Sequence, residues 1–185
     1  MVQERVLFFG KFLQAPLKIG SVTPSSAWLV AAMLAPIPWS STGAIVELGA
    51  GTGVITREIL RRLPPGGKAF IFEQDARLRA TLREDYPGFT VEANAEHLYA
   101  VIKNAGTEQV DCVVSGLPFT TLPEQTRQAI LAGVLQALKP GGFFIAFQYS
   151  LHMRARFCSH FDQMKVRYVP LNVPPAFVYC CRKAS

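Results

Sequence analysis

Short apolar runs alternate with amphipathic segments from residue 44 to the end of the chain. The first run, Ala44–Leu48, predicts a buried strand, and Val54–Leu63 resumes at helical spacing with one apolar face. Residues typical of turns separate the later runs, as expected between strands and helices. The other predicted strands are Lys68–Phe72, Phe89–Ala93, Val110–Ser115, Phe143–Gln148 and, near the end of the chain, Lys165–Val169 and Ala176–Cys181.

Segments of helical periodicity lie between most of these strands. Helices are predicted after Asp75, at Ala95–Asn104, from Pro123 to Leu138 and near Leu151–Phe161, and Lys139–Gly142 is interpreted as a turn. Strands joined by right-handed helical crossovers form a doubly wound α/β sheet. We therefore expect a mostly parallel sheet of seven strands with helices on both faces. The last two strands should form an antiparallel hairpin at its edge.

The start of the chain predicts a helical extension. On a helical wheel, residues 2–14 form one broad apolar face that also includes Arg5. The apolar residues of this face are Val2, Val6, Phe8, Phe9, Phe12 and Leu13. Such a helix either lies in a membrane interface or packs on its own domain, and both alternatives stay open. The polar loop 18–26 follows as a candidate lid, and Ser25 or Ser26 is expected to cap the helix Ala27–Leu34.

Composition limits the class of protein. The chain has 185 residues, of which 50% are hydrophobic and 17% charged, and this predicts one globular domain. Within it we expect a helical extension at 1–35 and a core at 43–185. No apolar run is long enough to span a membrane. The cysteines lack metal-ligand spacing, so we expect free thiols in a reducing cytoplasm and no metal. The net charge of +6 favours an anionic partner, either nucleic acid or an acidic lipid surface.

The segment between the first strand and its helix predicts a ligand site. It reads E-x-G-x-G-x-G from Glu47 to Gly53. Glycines at such a turn let the backbone approach a ligand closely at the start of a helix. The nicotinamide fingerprint G-x-G-x-x-G would need a glycine at position 54, where the chain has Val54. The segment therefore predicts a ligand other than a nicotinamide dinucleotide.

Polar residues also follow the next strands. Glu73 closes the second strand, where an acidic side chain can accept hydrogen bonds from ribose hydroxyls, while Asp75 is expected to cap the next helix. Asn94 follows the third strand, and the S-G-L-P-F segment, residues 115–119, follows the fourth. Because the carboxyl ends of parallel strands meet at one edge of a sheet, we expect these segments to surround one ligand.

The glycine segment resembles motif I of the class I S-adenosylmethionine-dependent methyltransferases. That resemblance implies the Rossmann-like fold of the class and S-adenosylmethionine as cofactor. In this class, an amide such as that of Asn94 contacts the adenine amino group, although Asn94 is equally suited to cap a helix. The positions that the resemblance assigns to the cofactor are Thr23, Ser25, Glu47, Gly49, Ala50, Gly51, Gly53, Glu73, Gln74, Asn94, Ala95 and Ser115.

Two families within this class share the arrangement. The ribosomal RNA adenine dimethyltransferases resemble the chain from the glycine loop through I-F-E-Q-D, residues 71–75. They carry N-L-P-Y or N-L-P-F after the fourth strand, whereas this chain has Gly116 in place of the asparagine. A glycine side chain cannot accept a hydrogen bond from an adenine amine. The chain also stops where those enzymes add a helical domain, and both differences count against RNA.

The small bacterial phospholipid N-methyltransferases resemble nearly the whole chain. The shared segments are I-G-S-V-T-P-S-S at 19–26, V-E-L-G-A-G-T-G at 46–53, S-G-L-P-F at 115–119 and L-K-P-G-G at 138–142. The resemblance implies methylation of phosphatidylethanolamine at an anionic membrane surface, by a cytoplasmic enzyme that is peripheral to the inner face. An RNA or small-molecule methyltransferase and a non-catalytic binding module stay as alternatives, and the oligomeric state stays open.

Methyl transfer to an amine needs the neutral nitrogen in line with the S–CH3 bond. The predicted catalytic groups, which would hold that amine, are at Ser115 and Tyr149. The expected substrate-binding residues are Gly116, Leu117, Pro118 and Phe119. Phe119 either packs on the methylated ammonium by cation–π attraction or belongs to the core.

Overall fold

The computed structural model describes residues 26–185, and this part of the chain forms a seven-stranded sheet in the order β3-β2-β1-β4-β5-β7-β6. The strands are β1 Ala44–Leu48, β2 Lys68–Phe72, β3 Thr90–Glu92, β4 Val110–Ser115, β5 Leu138–Gln148, β6 Gln163–Val169 and β7 Ala176–Arg182. Strands β1 to β5 are parallel to one another, and β7 is antiparallel to both β5 and β6. The predicted doubly wound, mostly parallel sheet with an edge hairpin is confirmed.

Helices cover both faces of this sheet. They are α1 Ala27–Leu34, α2 Val54–Arg62, α3 Ala76–Asp85, α4 Leu98–Asn104, α5 Glu124–Ala137 and α6 Arg154–His160. Strand β1 is buried throughout, because Val46 and Leu48 face the core under α4, α5 and α6 while Ile45 faces the core under α1, α2 and α3. A strand covered on both faces needs a continuous apolar run, which is the pattern that identified it.

Some predicted boundaries were wrong. The segment Lys139–Gly142 is not a separate turn but the irregular start of β5, where the register against β4 shifts between Val110 and Cys112. Gly141 has a φ of 71° there, and its N–H is shared between the carbonyls of Lys183 and Ala184. This pairing needs the end of the chain, which local sequence cannot reveal. The last predicted helix is also shorter, at Arg154–His160.

The start of the described chain is fixed by a helix cap. The Ser26 hydroxyl accepts a hydrogen bond from the backbone N–H of Leu29 at 3.2 Å, so Ser26 is the cap of α1. The predicted amphipathic helix at 2–14, and Thr23 and Ser25 of the candidate lid, lie outside the described residues.

Candidate active site

The loops that end β1, β2, β3 and β4 are hydrogen-bonded to one another at the carboxyl edge of the sheet. The Gly49 N–H donates to the Phe72 carbonyl at 2.8 Å, and the Gly116 N–H donates to the Leu48 carbonyl at 2.7 Å. The Glu73 N–H donates to the carbonyl of Glu92 at 3.0 Å. The structure therefore brings the glycine segment, Glu73 and the S-G-L-P-F segment together, as the parallel topology requires.

Gly51 lies at the open side of the glycine loop. Its φ is 57°, a left-handed conformation that favours glycine, and a Cβ built there would meet no atom of residues 26–185 within 4 Å. Neighbouring protein atoms therefore do not explain the lack of a side chain. An open cradle at the start of α2 fits a cofactor that approaches the backbone closely.

Glu73 holds this loop in place. One carboxylate oxygen accepts the Gly51 N–H at 2.7 Å, and the other accepts the Asp75 N–H at 2.8 Å. Each oxygen has a second lone pair, which is available to a ribose hydroxyl. Asp75 caps α3 as predicted, accepting from the N–H groups of Leu78 and Arg77, and these bonds lower the pKa of its carboxyl. The two neighbouring acids therefore have different tasks.

Glu73→Ala is expected to weaken cofactor binding about tenfold or more, because hydrogen bonds to a carboxylate contribute on the order of 1.5–3 kcal/mol. The same change also releases the Gly51 N–H. Asp75→Ala removes a helix cap, so it should lower the free energy of unfolding by about 1 kcal/mol with much less effect on the cofactor. Calorimetric titration with S-adenosylhomocysteine tests both variants. Equal losses of affinity would mean that the ribose role is assigned to the wrong acid.

Glu47 is a buried acid beneath the glycine loop. One of its carboxylate oxygens accepts the Thr56 hydroxyl at 2.6 Å, and the other has no partner among the described residues. Burial raises the pKa of Glu47 to about 7, the Thr56 hydrogen bond opposes the rise, and the charge of Glu73 adds to it. An unpartnered buried carboxylate beside an open cradle fits a cofactor that carries positive charge.

Four other predicted cofactor residues lie at the same edge. Asn94 caps the 3₁₀ turn Ala95–His97 by accepting the Glu96 N–H at 2.9 Å, so the capping alternative is confirmed, and the adenine contact stays a prediction. Gln74 is exposed, and Ala95 packs on the core under α4 and α5. Ala50 is buried within the glycine loop.

The S-G-L-P-F segment packs directly on the glycine loop. A Cβ on Gly116 would lie 2.8 Å from the Gly49 carbonyl oxygen, and one on Gly49 would lie 2.9 Å from the Leu117 side chain. The buried Ser115 hydroxyl accepts the Leu117 N–H at 3.2 Å, and the Gln148 amide donates to the Leu117 carbonyl at 2.9 Å. Sequence reasoning missed Gln148. Its only signal is a polar residue at the end of the apolar strand β5.

Gly116→Asn, which restores the asparagine of the RNA dimethyltransferases, is expected to destabilise the fold. The new side chain would press on the Gly49 backbone, and overpacking of this kind costs about 1–3 kcal/mol. Thermal unfolding with and without S-adenosylhomocysteine checks the expectation, since displacement of Gly49 should also weaken cofactor binding. Unchanged stability together with new activity on RNA would contradict it.

Phe119 is a core residue. Its ring is fully buried and makes edge contacts with Phe144 and Phe157, at centroid distances of 5.9 Å and 5.6 Å. The prediction of a cation–π contact with an ammonium is therefore wrong, and the core alternative is correct. An apolar ring gains more from transfer into an aromatic cluster than from exposure at the loop. The Leu117 side chain lies next to Gly49 of the glycine loop, and the substrate roles of Leu117 and Pro118 stay predictions.

Tyr149 lies just beyond β5 and packs with the core on the α1–α3 side. Its ring contacts Phe147 edge-on at 5.6 Å. Burial raises the pKa of Tyr149, and a hydrogen bond with the Asn172 side chain opposes that rise. The phenol is therefore protonated at neutral pH and suited to hydrogen bonding with an amine, but not to acting as a phenolate base. The catalytic roles of Tyr149 and Ser115 stay predictions.

A glycine cradle, a loop-holding acid and a buried carboxylate at the carboxyl edge of a doubly wound sheet are typical of a cofactor-dependent transferase. Residues 45–142, more than half of the chain, match a family described as a methyltransferase domain. The chain belongs to the S-adenosylmethionine-dependent methyltransferases. Its cofactor is S-adenosylmethionine, as predicted.

The chain is similar to several known methyltransferases. An ornithine lipid N-methyltransferase from Singulisphaera acidiphila is 36% identical, over 98% of this chain and 97% of that protein. A ribosomal RNA small subunit methyltransferase A from Dehalococcoides mccartyi is 26% identical over 80% of the chain, which spans 50% of that protein. An S-adenosylmethionine-bound amino pentose methyltransferase, CalS10 from Micromonospora echinaspora, shares the fold, with a TM-score of 0.61 at 14% identity over 84% of this chain and 92% of that one.

Proposed function

We propose that the chain transfers the methyl group of S-adenosylmethionine to the primary amine of a membrane lipid head group. An ornithine lipid is the favoured acceptor, and phosphatidylethanolamine is the second candidate. The observation that carries the proposal is the 36% identity to an ornithine lipid N-methyltransferase over nearly the full length of both chains. Both lipids present a primary amine on a flexible head group, so the same chemistry serves either.

Each part of the site has a role in this reaction. When bound, the cofactor supplies an electrophilic methyl group on a cationic sulfur. The glycine loop and Glu73 would hold its nucleoside part, and Glu47 would place a negative charge near its positive charge. The loop of Gly116 and Leu117, fixed by Gln148, would orient the amine. Orientation supplies most of the acceleration for such a transfer, because the lone pair must lie in line with the bond that breaks.

An RNA adenine is the weaker candidate. Where the RNA dimethyltransferases have an asparagine to hold the adenine, this chain has Gly116. A side chain at that position would clash with the Gly49 carbonyl. The aromatic partner of a flipped base would be Phe119, whose ring is buried in the core. Both contacts that a flipped adenine needs are therefore missing from this loop.

The lipid acceptor implies a membrane partner. The net charge of +6 favours an anionic bilayer, and the amphipathic residues 2–14 would lay their apolar face on it. None of the described helices is long and apolar enough to cross a bilayer. We therefore propose binding to the membrane surface, by an enzyme that works at its inner face.

The test is partition of labelled methyl groups among competing acceptors. The protein is incubated with labelled S-adenosylmethionine and anionic vesicles that contain ornithine lipid, vesicles that contain phosphatidylethanolamine, or undermethylated ribosomal RNA. We expect label in lipid, with ornithine lipid the better acceptor. Label in RNA and not in lipid would contradict the proposal, and label in phosphatidylethanolamine alone would correct the acceptor.

A further inference from the structure

A cluster of exposed apolar side chains surrounds the tip of the β6–β7 hairpin. Trp28 is 63% exposed, Tyr168 54%, Leu171 59% and Val173 79%. Here these four residues are called the hairpin face. Large apolar side chains exposed in one place mark an interaction surface more often than scattered ones do.

The hairpin face is held together by a buried amide. Asn172, only 4% exposed, accepts the Ser26 N–H at 3.2 Å and donates to the Pro174 carbonyl at 2.7 Å. These bonds fix the start of α1, which carries Trp28, to the loop that carries Leu171. Trp28, Tyr168 and Leu171 line one groove of about 200 Å³ between the two elements.

The hairpin face lies at the same edge of the sheet as the cofactor loop. Strand β6 is antiparallel to β7, which is antiparallel to β5, so β6 ends at the carboxyl edge like the parallel strands. Phe177 pairs with both Tyr168 of β6 and Gln148, the last residue of β5. Any surface that contacts Leu171 and Val173 therefore also approaches the end of β5, beside the loop expected to orient the amine.

The charges beside the hairpin face favour an anionic surface. Lys165 and Arg167 are exposed on β6, and Arg167 lines the groove shared with Trp28. Basic residues on an edge strand also prevent its pairing with other sheets, which is a sufficient reason for Lys165 and Arg167. It does not explain the exposed apolar residues in the loop that follows β6. Tryptophan and tyrosine beside basic residues are typical of the membrane interface, where a ring can be half apolar and half hydrated.

We propose that the hairpin face inserts into the head-group region of an anionic bilayer and turns the carboxyl edge of the sheet towards the lipid. This inference rests on the proposed function, because a lipid substrate gives the contact its purpose. A second groove, of about 350 Å³, continues the surface on the other side of Tyr168, between Leu151, Val166 and Phe177, with Arg154 among its lining residues. Its apolar walls and single cation suit a lipid with an anionic group.

Trp28 reports on this contact directly. The chain has two tryptophans, so Trp39→Phe leaves Trp28 as the single indole fluorophore of the full-length protein. With vesicles that contain phosphatidylglycerol, its emission should shift to shorter wavelength and be quenched by brominated acyl chains. Neutral phosphatidylcholine vesicles should have little effect, and salt should weaken the response. Circular dichroism checks that Trp39→Phe folds.

Paired substitutions assign the contact to the hairpin. Leu171→Glu with Val173→Glu should weaken vesicle binding about tenfold or more, since two charges would enter the interface. Leu60→Glu is the matched control, because Leu60 is 51% exposed on α2, outside the hairpin face. It should change vesicle affinity by less than about twofold. All variants should keep their affinity for S-adenosylhomocysteine.

Other occupants of the face give different results. If residues 2–14 cover it, Trp28 emission will be at short wavelength without vesicles and will shift to longer wavelength in Phe9→Glu, which overturns the proposal. If a second copy covers it, the double glutamate variant will change a dimer into a monomer in sedimentation, which also overturns it. Methyl transfer in mixed micelles is measured separately. Its absence in the wild-type protein would count against the proposed function, while the Trp28 response would still decide the contact.

Discussion

Gly51→Val is expected to abolish measurable binding of S-adenosylmethionine, a loss of about a hundredfold or more. The side chain would project into the space at the open side of the glycine loop, where no atom of the described part of the chain lies within 4 Å. A β-branched residue at a φ of 57° also strains the backbone by about 1–3 kcal/mol. Both effects act on the glycine segment that is expected to bind the cofactor, so methyl transfer should be lost with binding.

Gly106→Val is the matched control for this change. Gly106 has a φ of 66°, and a Cβ there likewise meets none of the described atoms within 4 Å, but it follows α4 at the opposite edge of the sheet. The two variants should therefore lose similar stability, and only Gly51→Val should lose the cofactor. Calorimetric titration with S-adenosylhomocysteine measures the difference. Intact binding in Gly51→Val would show that the cofactor lies elsewhere.

Glu47→Gln is expected to remove a large pH dependence of stability. Burial raises the pKa of Glu47 in the folded protein from 4.5 to about 7. The unfolded chain therefore releases this proton first as the pH rises. Protonated Glu47 therefore makes its full contribution to the free energy of unfolding below pH 4.5. This contribution is lost as the pH rises to about 7. A shift of this size corresponds to about 3 kcal/mol, and glutamine cannot titrate.

Denaturant unfolding across this pH range measures the effect. The stability of Glu47→Gln relative to the wild type should increase by about 3 kcal/mol from pH 4.5 to about pH 8, although cofactor binding should weaken. The same pH profile in both proteins would mean that Glu47 is not the buried titrating acid. The variant thus separates the loss of stability caused by burying a carboxylate from the contribution of that carboxylate to binding a cationic cofactor.

The order of elements could be predicted from sequence because each core strand is a short apolar run between turn residues. Strands β1, β2 and β4 have the predicted bounds for this reason. The convergence of Glu73 and Gly116 on the glycine loop follows from parallel topology alone. Local pattern failed where a long-range partner decides the structure, as at Gly141, which bonds to the end of the chain.

The sequence does not reveal which way a side chain points, and this limited the prediction of the site. An aromatic residue after Leu117 and Pro118 suits either a substrate contact or the core, and only the positions of Phe144 and Phe157 place Phe119 in the core. Gln148 escaped notice because its partner is a backbone carbonyl distant in sequence. The clash between Gly116 and the Gly49 carbonyl is likewise a property of two packed loops, although the substitution itself is visible in sequence.

The most direct test of a lipid amine acceptor is the structure of the methylated product. The wild-type protein is incubated with S-adenosylmethionine and anionic vesicles that contain equal amounts of ornithine lipid and phosphatidylethanolamine, with Gly51→Val as the inactive control. Tandem mass spectrometry of the extracted lipids then locates any added methyl group. The account predicts methyl groups on the head-group amine, first on ornithine lipid, in the wild-type sample alone. Unmodified lipids, from a protein that binds S-adenosylhomocysteine and both vesicle types, would contradict it.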